Sequence, residues 1–362
     1  MIISKVPPAK LARVVEWTRH YLYRLNQRLT PSPAAIFEMI LAGWTSQAIT
    51  VAAQLGVADV LAAGPLEIDE LATRVDADPD ALRRLLRALI SRGIFRQRRD
   101  GRYELNSLSD TLRSDAPVSM NSAARFYGSQ EQRERWTLLE NSIRTGNAVV
   151  AALRGKASFE YFAENPELAA LFNQTMTSIS ELTDATVVAG YDFSVYPTIV
   201  DVGGGHGPLL ATILAAAPAS RGVLSDLSTV VADAPNLLRE RNVADRVRIE
   251  EGSFFDSVPR GGDAYVLKNI IHDWPDEKAV QILRNVRAAA DPQATLLLVE
   301  LVIPRHNRDF PGKWADLEMM LNLGARERTA DEYRDLLSQA GFRMTRVVQT
   351  ASPLSVVEAG PA

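Results

Sequence analysis

From about residue 197 the chain alternates short β-branched runs with helix-length segments, and no other feature constrains its fold as tightly. The runs are Thr198–Asp201, Gly222–Asp226, Val247–Glu250, Ala264–Leu267 and Ala294–Glu300. Strands almost continuous in Val, Ile and Leu, each followed by a helix, belong in a parallel sheet covered on both faces. Before residue 190 the texture differs: apolar residues recur at helical spacing, as in Leu82, Leu85, Leu86, Leu89 and Ile90. A chain of 362 residues is long enough for two or three domains. The expectation is therefore a mainly helical domain over residues 1–190 and a doubly wound α/β domain over residues 191–362, with the seam near 185–195.

Residues 56–109 have a pattern of their own. A helix over Glu67–Val75, a turn at Ala77-Asp78-Pro79, a second helix over Asp80–Arg92, and the runs Gly93–Phe95 and Gly101–Leu105 spell helix-turn-helix followed by a β wing. Eight arginines between Arg83 and Arg102 lie on the second helix and wing. Taken alone they read equally well as a DNA-binding face or as a solvated scaffold. The net charge of −4 gives no reason to expect a polyanion partner for the whole chain.

Residues 39–58 carry no charge over a length that could cross a bilayer. Gly43, Thr45, Gln47, Thr50, Gln54 and Gly56 interrupt the apolar surface, so the expectation is a helix buried all round, in a core or between subunits, and not a membrane span. The N-terminus lacks an apolar stretch with a small-residue cleavage site, so it is not read as a signal peptide. Cysteine is absent, which excludes a disulfide scaffold, a thiolate metal site and a cysteine nucleophile, and fits a cytoplasmic protein. The four histidines, His20, His206, His272 and His306, lack metal-ligand spacing, and no metal is expected.

Asp201-Val-Gly203-Gly-Gly205-His-Gly207 follows a strand and precedes the helical run from Pro208 to Ala216. Glycines there let a ligand approach the backbone at the carboxyl edge of a sheet. The dinucleotide fingerprint fails, because its last position is Pro208 or Leu210. An acid on the strand end followed by alternate glycines resembles instead the first motif of S-adenosylmethionine-dependent methyltransferases. A second acid, Asp226, closes the next strand, where a carboxylate can accept from both hydroxyls of a ribose.

Leu267-Lys268-Asn-Ile-Ile-His272-Asp273-Trp, with Asp276-Glu277 following, resembles the catalytic histidine segment of the O-methyltransferases that act on plant phenylpropanoids and bacterial aromatic polyketides. The likeness covers nearly the whole chain, and Arg328-Thr329 through Phe342 match the family's last helix. It implies a winged-helix dimerisation domain joined to a Rossmann-like domain with a seven-stranded sheet. It implies S-adenosylmethionine as cofactor, S-adenosylhomocysteine as product, and a homodimer with a small hydroxylated, aromatic acceptor and no nucleic acid partner. By the same resemblance His272 is the general base, and Glu300 and Glu327 orient it. An imidazole suits the task, being largely free base where a phenol is still protonated.

The resemblance also implies cofactor contacts from Asp201, Gly203, Gly205, Asp226, Ser253, Phe254, Lys268 and Ser180, and substrate contacts from Phe172, Met176, Asp273, Met319 and Asn322. Asp273 is equally explained as a cap on the helix that Pro275 begins, and Lys268 as a strand-end lysine. One position departs from the family: Gly252-Ser253-Phe254 stands where Gly-Asp is usual, and a hydroxyl accepts from an adenine amino group more weakly than a carboxylate. Two other functions fit parts of the pattern. A non-methylating relative would bind the cofactor without depending on a base, and a cofactor-sensing winged-helix regulator would bind DNA in a salt-dependent way.

Overall fold

The computed structural model describes residues 6–156 and 158–362, which gather into two compact units. One comprises Leu22–Leu138 and Phe159–Ile179; the other comprises the chain up to Tyr21, Leu139–Ser158 and Ser180–Ala362.

The first unit contains the winged-helix pattern. Its paired helices run Ile68–Arg74 and Pro79–Ser91, within a residue of the periodicity. Asp78 caps the second by accepting from Ala81 N at 2.8 Å, a contact worth about 1 kcal/mol. Pro79 fills the first helical turn, where its missing N–H is no loss. Leu82, Leu86 and Leu89 form a buried stripe against Leu71, Phe95 and Tyr103. The wing pairs β1 (Arg96–Gln97) with β2 (Tyr103–Glu104) antiparallel, turning through Gly101 at φ +89°. Four of the eight arginines face carboxylates: Arg83 with Asp80, Arg96 with Glu104, and Arg98 and Arg102 with Asp100. That internal neutralisation favours the solvated-scaffold reading of this face over the DNA reading.

The uncharged segment was expected in a core or between subunits. Its helix is Ser32–Gln54, and the chain breaks at Gly56, whose φ of +66° an L-residue resists, before restarting at Val57. Only Thr50, Ala52 and Ala53 are buried on it, while Ile36, Ile40 and Trp44 are 57%, 67% and 72% exposed. The helix is thus not buried all round within one chain. Only its last turns face the core, where Thr50 reaches Ala124 O at 2.9 Å, and of the two expected settings the core is excluded for the rest.

The second unit is built on seven strands: β3 (Thr198–Val202), β4 (Arg221–Asp226), β5 (Val247–Glu251), β6 (Ala264–Lys268), β7 (Thr295–Glu300), β8 (Phe342–Gln349) and β9 (Ser355–Pro361). They lie in the order β5-β4-β3-β6-β7-β9-β8. β3 to β7 are parallel to one another, and β9 runs antiparallel between β7 and β8. Alternate residues serve opposite faces: Val200, Tyr265 and Leu298 enter one core, Ile199, Val266 and Leu297 the other. Burial on both faces is why these strands read as continuous apolar runs. The chain goes from β3 out to β5 and returns to β6, so the strand order reverses between β3 and β6. Ligands of doubly wound sheets sit at that switch point, outside the carboxyl ends of the strands. The glycine turn leaves β3 there, and the His272 segment leaves β6 beside it.

Candidate active site

β6 ends at Lys268, and Ile271–Asp273 forms a single 3-10 turn before the helix Asp276–Ala289. His272 projects from this turn with its side chain 14% exposed, and its Nδ1 lies 2.7 Å from Glu327 Oε1. Nε2 is 3.4 Å from Asp273 Oδ1. Glu300, at the end of β7, is fully buried and serves the backbone: its Oε1 accepts from Ile270 N at 3.2 Å and Ile271 N at 3.0 Å. Glu327 therefore orients the ring, and Glu300 supports the turn beneath it. Asp273 does not cap the following helix, whose N-cap Pro275 has no side-chain bond, because the side chain lies toward His272.

The second oxygens of Glu300 and Glu327 are buried without a hydrogen-bond partner among the described residues. Burial works against a charged imidazole, but Asp273, Glu300 and Glu327 outweigh it and push His272 up to about 10. Burial lifts Glu300 to about 7, partly opposed by His272. Donor atoms of His272, Glu300 and Glu327 lie within 4.8 Å of one another, a grouping that could also hold a cation. Nδ1 is already engaged by Glu327, so a cation there would displace that hydrogen bond.

Across the switch point, Gly203, Gly205 and Gly207 have φ of +71°, +61° and +83°, a region L-residues rarely adopt. A Cβ on Gly203 would meet Ile270 and Phe254, so the glycine turn touches the segment leading to His272. A Cβ on Gly205 would enter open space. Asp226 holds the turn by accepting from Gly205 N at 2.9 Å and from Leu227 N at 2.7 Å. Asp201 is buried under Gly204, its Oδ2 without a hydrogen-bond partner among the described residues, and burial, reinforced by Asp184 and opposed by Lys268, lifts it to about 7. Ser253 Oγ already accepts from Phe255 N at 3.2 Å, and Phe254 stacks edge-on to Trp274.

Lys268 Nζ donates to Ser180 Oγ at 3.0 Å and pairs with Asp184, both ions nearly buried. Asp184 was not read from the sequence. The signal was its i,i+4 spacing from Ser180, which puts both on one helix face. Asp316 was missed too: it accepts from Glu327 N at 3.0 Å, from the helix Pro311–Leu323 that also bears the half-buried Met319 and Asn322. Phe172 and Met176 belong to the other unit, where Phe172 stacks on Phe162 with ring centres 4.9 Å apart.

An O-methyltransferase domain matches residues 136–343, more than half of the chain, and an O-methyltransferase dimerisation domain matches residues 37–115. The chain belongs to the O-methyltransferase family. This methyltransferase is 40% identical over 331 residues to phenazine O-methyltransferase PhzM of Lysobacter antibioticus, covering 91% of this chain and 97% of that protein. The crystal structure of LaPhzM superposes with a TM-score of 0.87 at 40% identity, covering 92% of this chain and all of that one. NcsB1, an O-methyltransferase of neocarzinostatin biosynthesis crystallised with S-adenosylmethionine and 2-hydroxy-5-methyl naphthoic acid, aligns at 32% identity with a TM-score of 0.75, covering 88% and 96%. The enzyme uses S-adenosylmethionine. Its residues suit that molecule: Asp226 at a strand end suits a ribose diol, and the open space at Gly205 leaves room against the backbone.

Proposed function

We propose that this methyltransferase methylates a hydroxyl of an aromatic or polyketide-like small molecule, with His272 as general base. The observation that carries the reading is the 2.7 Å contact between His272 Nδ1 and Glu327, which holds the ring by one nitrogen and leaves Nε2, 3.4 Å from Asp273 Oδ1, as the nitrogen that takes the acceptor's proton. The bound cofactor supplies a methyl group already activated on a sulfonium. The chain's own residues then have to align the acceptor and take its proton. With the ring pushed up to about 10, the free base is the minor form near neutral pH, contrary to the expectation of a largely free imidazole, and only that form can take the acceptor's proton. Glu327 and Asp273 stabilise the imidazolium as it forms.

Asp201, Asp226, Gly203, Gly205, Ser253, Phe254, Lys268 and Ser180 are the cofactor contacts in this reading, and Asp273, Met319 and Asn322 line the acceptor. Family relatives with aromatic acceptors support it: phenazine is named for PhzM, and a hydroxynaphthoic acid was bound to NcsB1. The working form is a homodimer. Support comes from the dimerisation domain and from the exposed Val14, Trp17, Leu25, Ile36, Ile40 and Trp44 on the two N-terminal helices. Apolar surface of that extent marks an interface.

Labelled S-adenosylmethionine incubated with a panel of phenols and hydroxylated polyketides tests the reading. Label should pass to at least one such acceptor as a methyl ether. Cofactor binding without transfer to any of them would favour the non-methylating alternative.

A further inference from the structure

We propose that Arg328 is a positioning residue for the base, its buried guanidinium fixing the backbone of the turn that carries His272 while its neighbour Glu327 fixes the ring. The proposal rests on the reading of His272 as the base. Arg328 is 1% exposed and among the largest fully buried side chains of the protein. Nη1 donates to Ile271 O at 2.9 Å, and Nη2 donates to Trp274 O at 3.0 Å. Those carbonyls bracket His272 and Asp273. Nε and Nη2 also donate to Asp276 Oδ1, at 3.1 and 2.7 Å, tying the fork to the first turn of the next helix. The main chain of Arg328 is itself anchored, since its carbonyl accepts from Ile303 N at 2.9 Å beyond the end of β7.

The turn needs such support. Its own bonds are long, 3.2 Å from Asp273 N to Ile270 O and 3.4 Å from Trp274 N to Ile271 O. Glu300 takes up the turn's N–H groups, and Arg328 takes up its C=O groups. A hydrocarbon would fill the same volume without the penalty of burying a charge, and Asp276, the counter-ion, is 56% exposed. A guanidinium offers what a hydrocarbon cannot, a rigid fork of donors in one plane that fixes several acceptors at once.

Double-mutant cycles test the proposal. Arg328→Lys keeps the charge but loses the fork, and it should lower kcat by roughly 10- to 100-fold, the scale expected for displacing a reacting group by about 1 Å. Cofactor affinity by calorimetry should stay within about twofold, because none of the cofactor contacts named above lies on the turn Ile271–Asp273. On a His272→Ala background the same change should have no further effect on the residual rate. If Arg328→Lys slows His272→Ala by as large a factor as it slows the native enzyme, or leaves the native enzyme at full rate, the proposal is overturned and His272 keeps its role. If His272→Ala itself runs at full rate, the base assignment falls first. Asp276→Ala removes only the outer, exposed anchor, so it tests the idea should Arg328→Lys fail to fold. A several-fold loss of kcat that disappears in His272→Ala supports the proposal, and an undiminished kcat overturns it.

Discussion

An imidazole ringed by Asp273, Glu300 and Glu327 cannot titrate as one in water does. In the ligand-free enzyme His272 should hold its second proton until about pH 10, and 15N NMR of the ring should show imidazolium at pH 8. Its proton contributes stability in full below about 6.5, the unfolded value, and that contribution fades as pH rises through about 10. Methyl transfer should run the other way and climb with pH as the ring becomes free base. Glu327→Gln should move the NMR midpoint downward, because a charged partner at 2.7 Å is replaced by a neutral one. A midpoint near 6.5 in the native enzyme would count against the buried-carboxylate account. His272, Glu300 and Glu327 could be expected together because the family resemblance assigns a role to each, although they lie in three separate segments. Asp184, Asp316 and Arg328 could not, since each earns meaning from a partner 84, 11 or 52 to 57 residues away that only folding brings near.

At the scale of elements, periodicity did most of the work. Five strands of the sheet and both winged-helix helices follow their apolar spacing to within a residue. β8 escaped because Arg343, Thr345 and Arg346 break its pattern: it is an edge strand with one side open, and the family resemblance implied seven strands without placing β8 or its partner β9. The helix Ser32–Gln54 was expected in a core or between subunits, because an uncharged run cannot tell a core from a surface awaiting a partner, and its exposure leaves the second setting open. Where that helix does reach the core, the fit is close. A Cβ on Gly128 would fall 1.8 Å from Thr50 Oγ1, inside any permissible contact. Gly128→Ala should destabilise the protein by about 1–3 kcal/mol, read as a lower urea midpoint, and Thr50→Ala on top should recover part of the loss. Strict additivity of the two losses would show that the contact is not what limits this site.

For the whole molecule, the exposed apolar flank and the dimerisation domain make one prediction together. Sedimentation should find a dimer at micromolar concentration, and Ile40→Asp with Trp44→Asp should shift it to monomer while far-UV circular dichroism is kept. A native monomer at that concentration would contradict the homodimer. Texture predicted a helical part over residues 1–190 and a sheet part over 191–362, but the two compact units divide the chain differently: the sheet unit also takes the chain up to Tyr21, Leu139–Ser158 and the chain from Ser180, because those helices look like any others in the first half. The central claim is that one imidazole, held by Glu327, removes the acceptor's proton as the methyl group is transferred. Single-turnover transfer to a phenolic acceptor, native enzyme against His272→Ala at saturating cofactor, tests it most directly. The account predicts a loss of roughly 10²- to 10⁴-fold in rate with cofactor binding unchanged, and transfer at the native rate would contradict it.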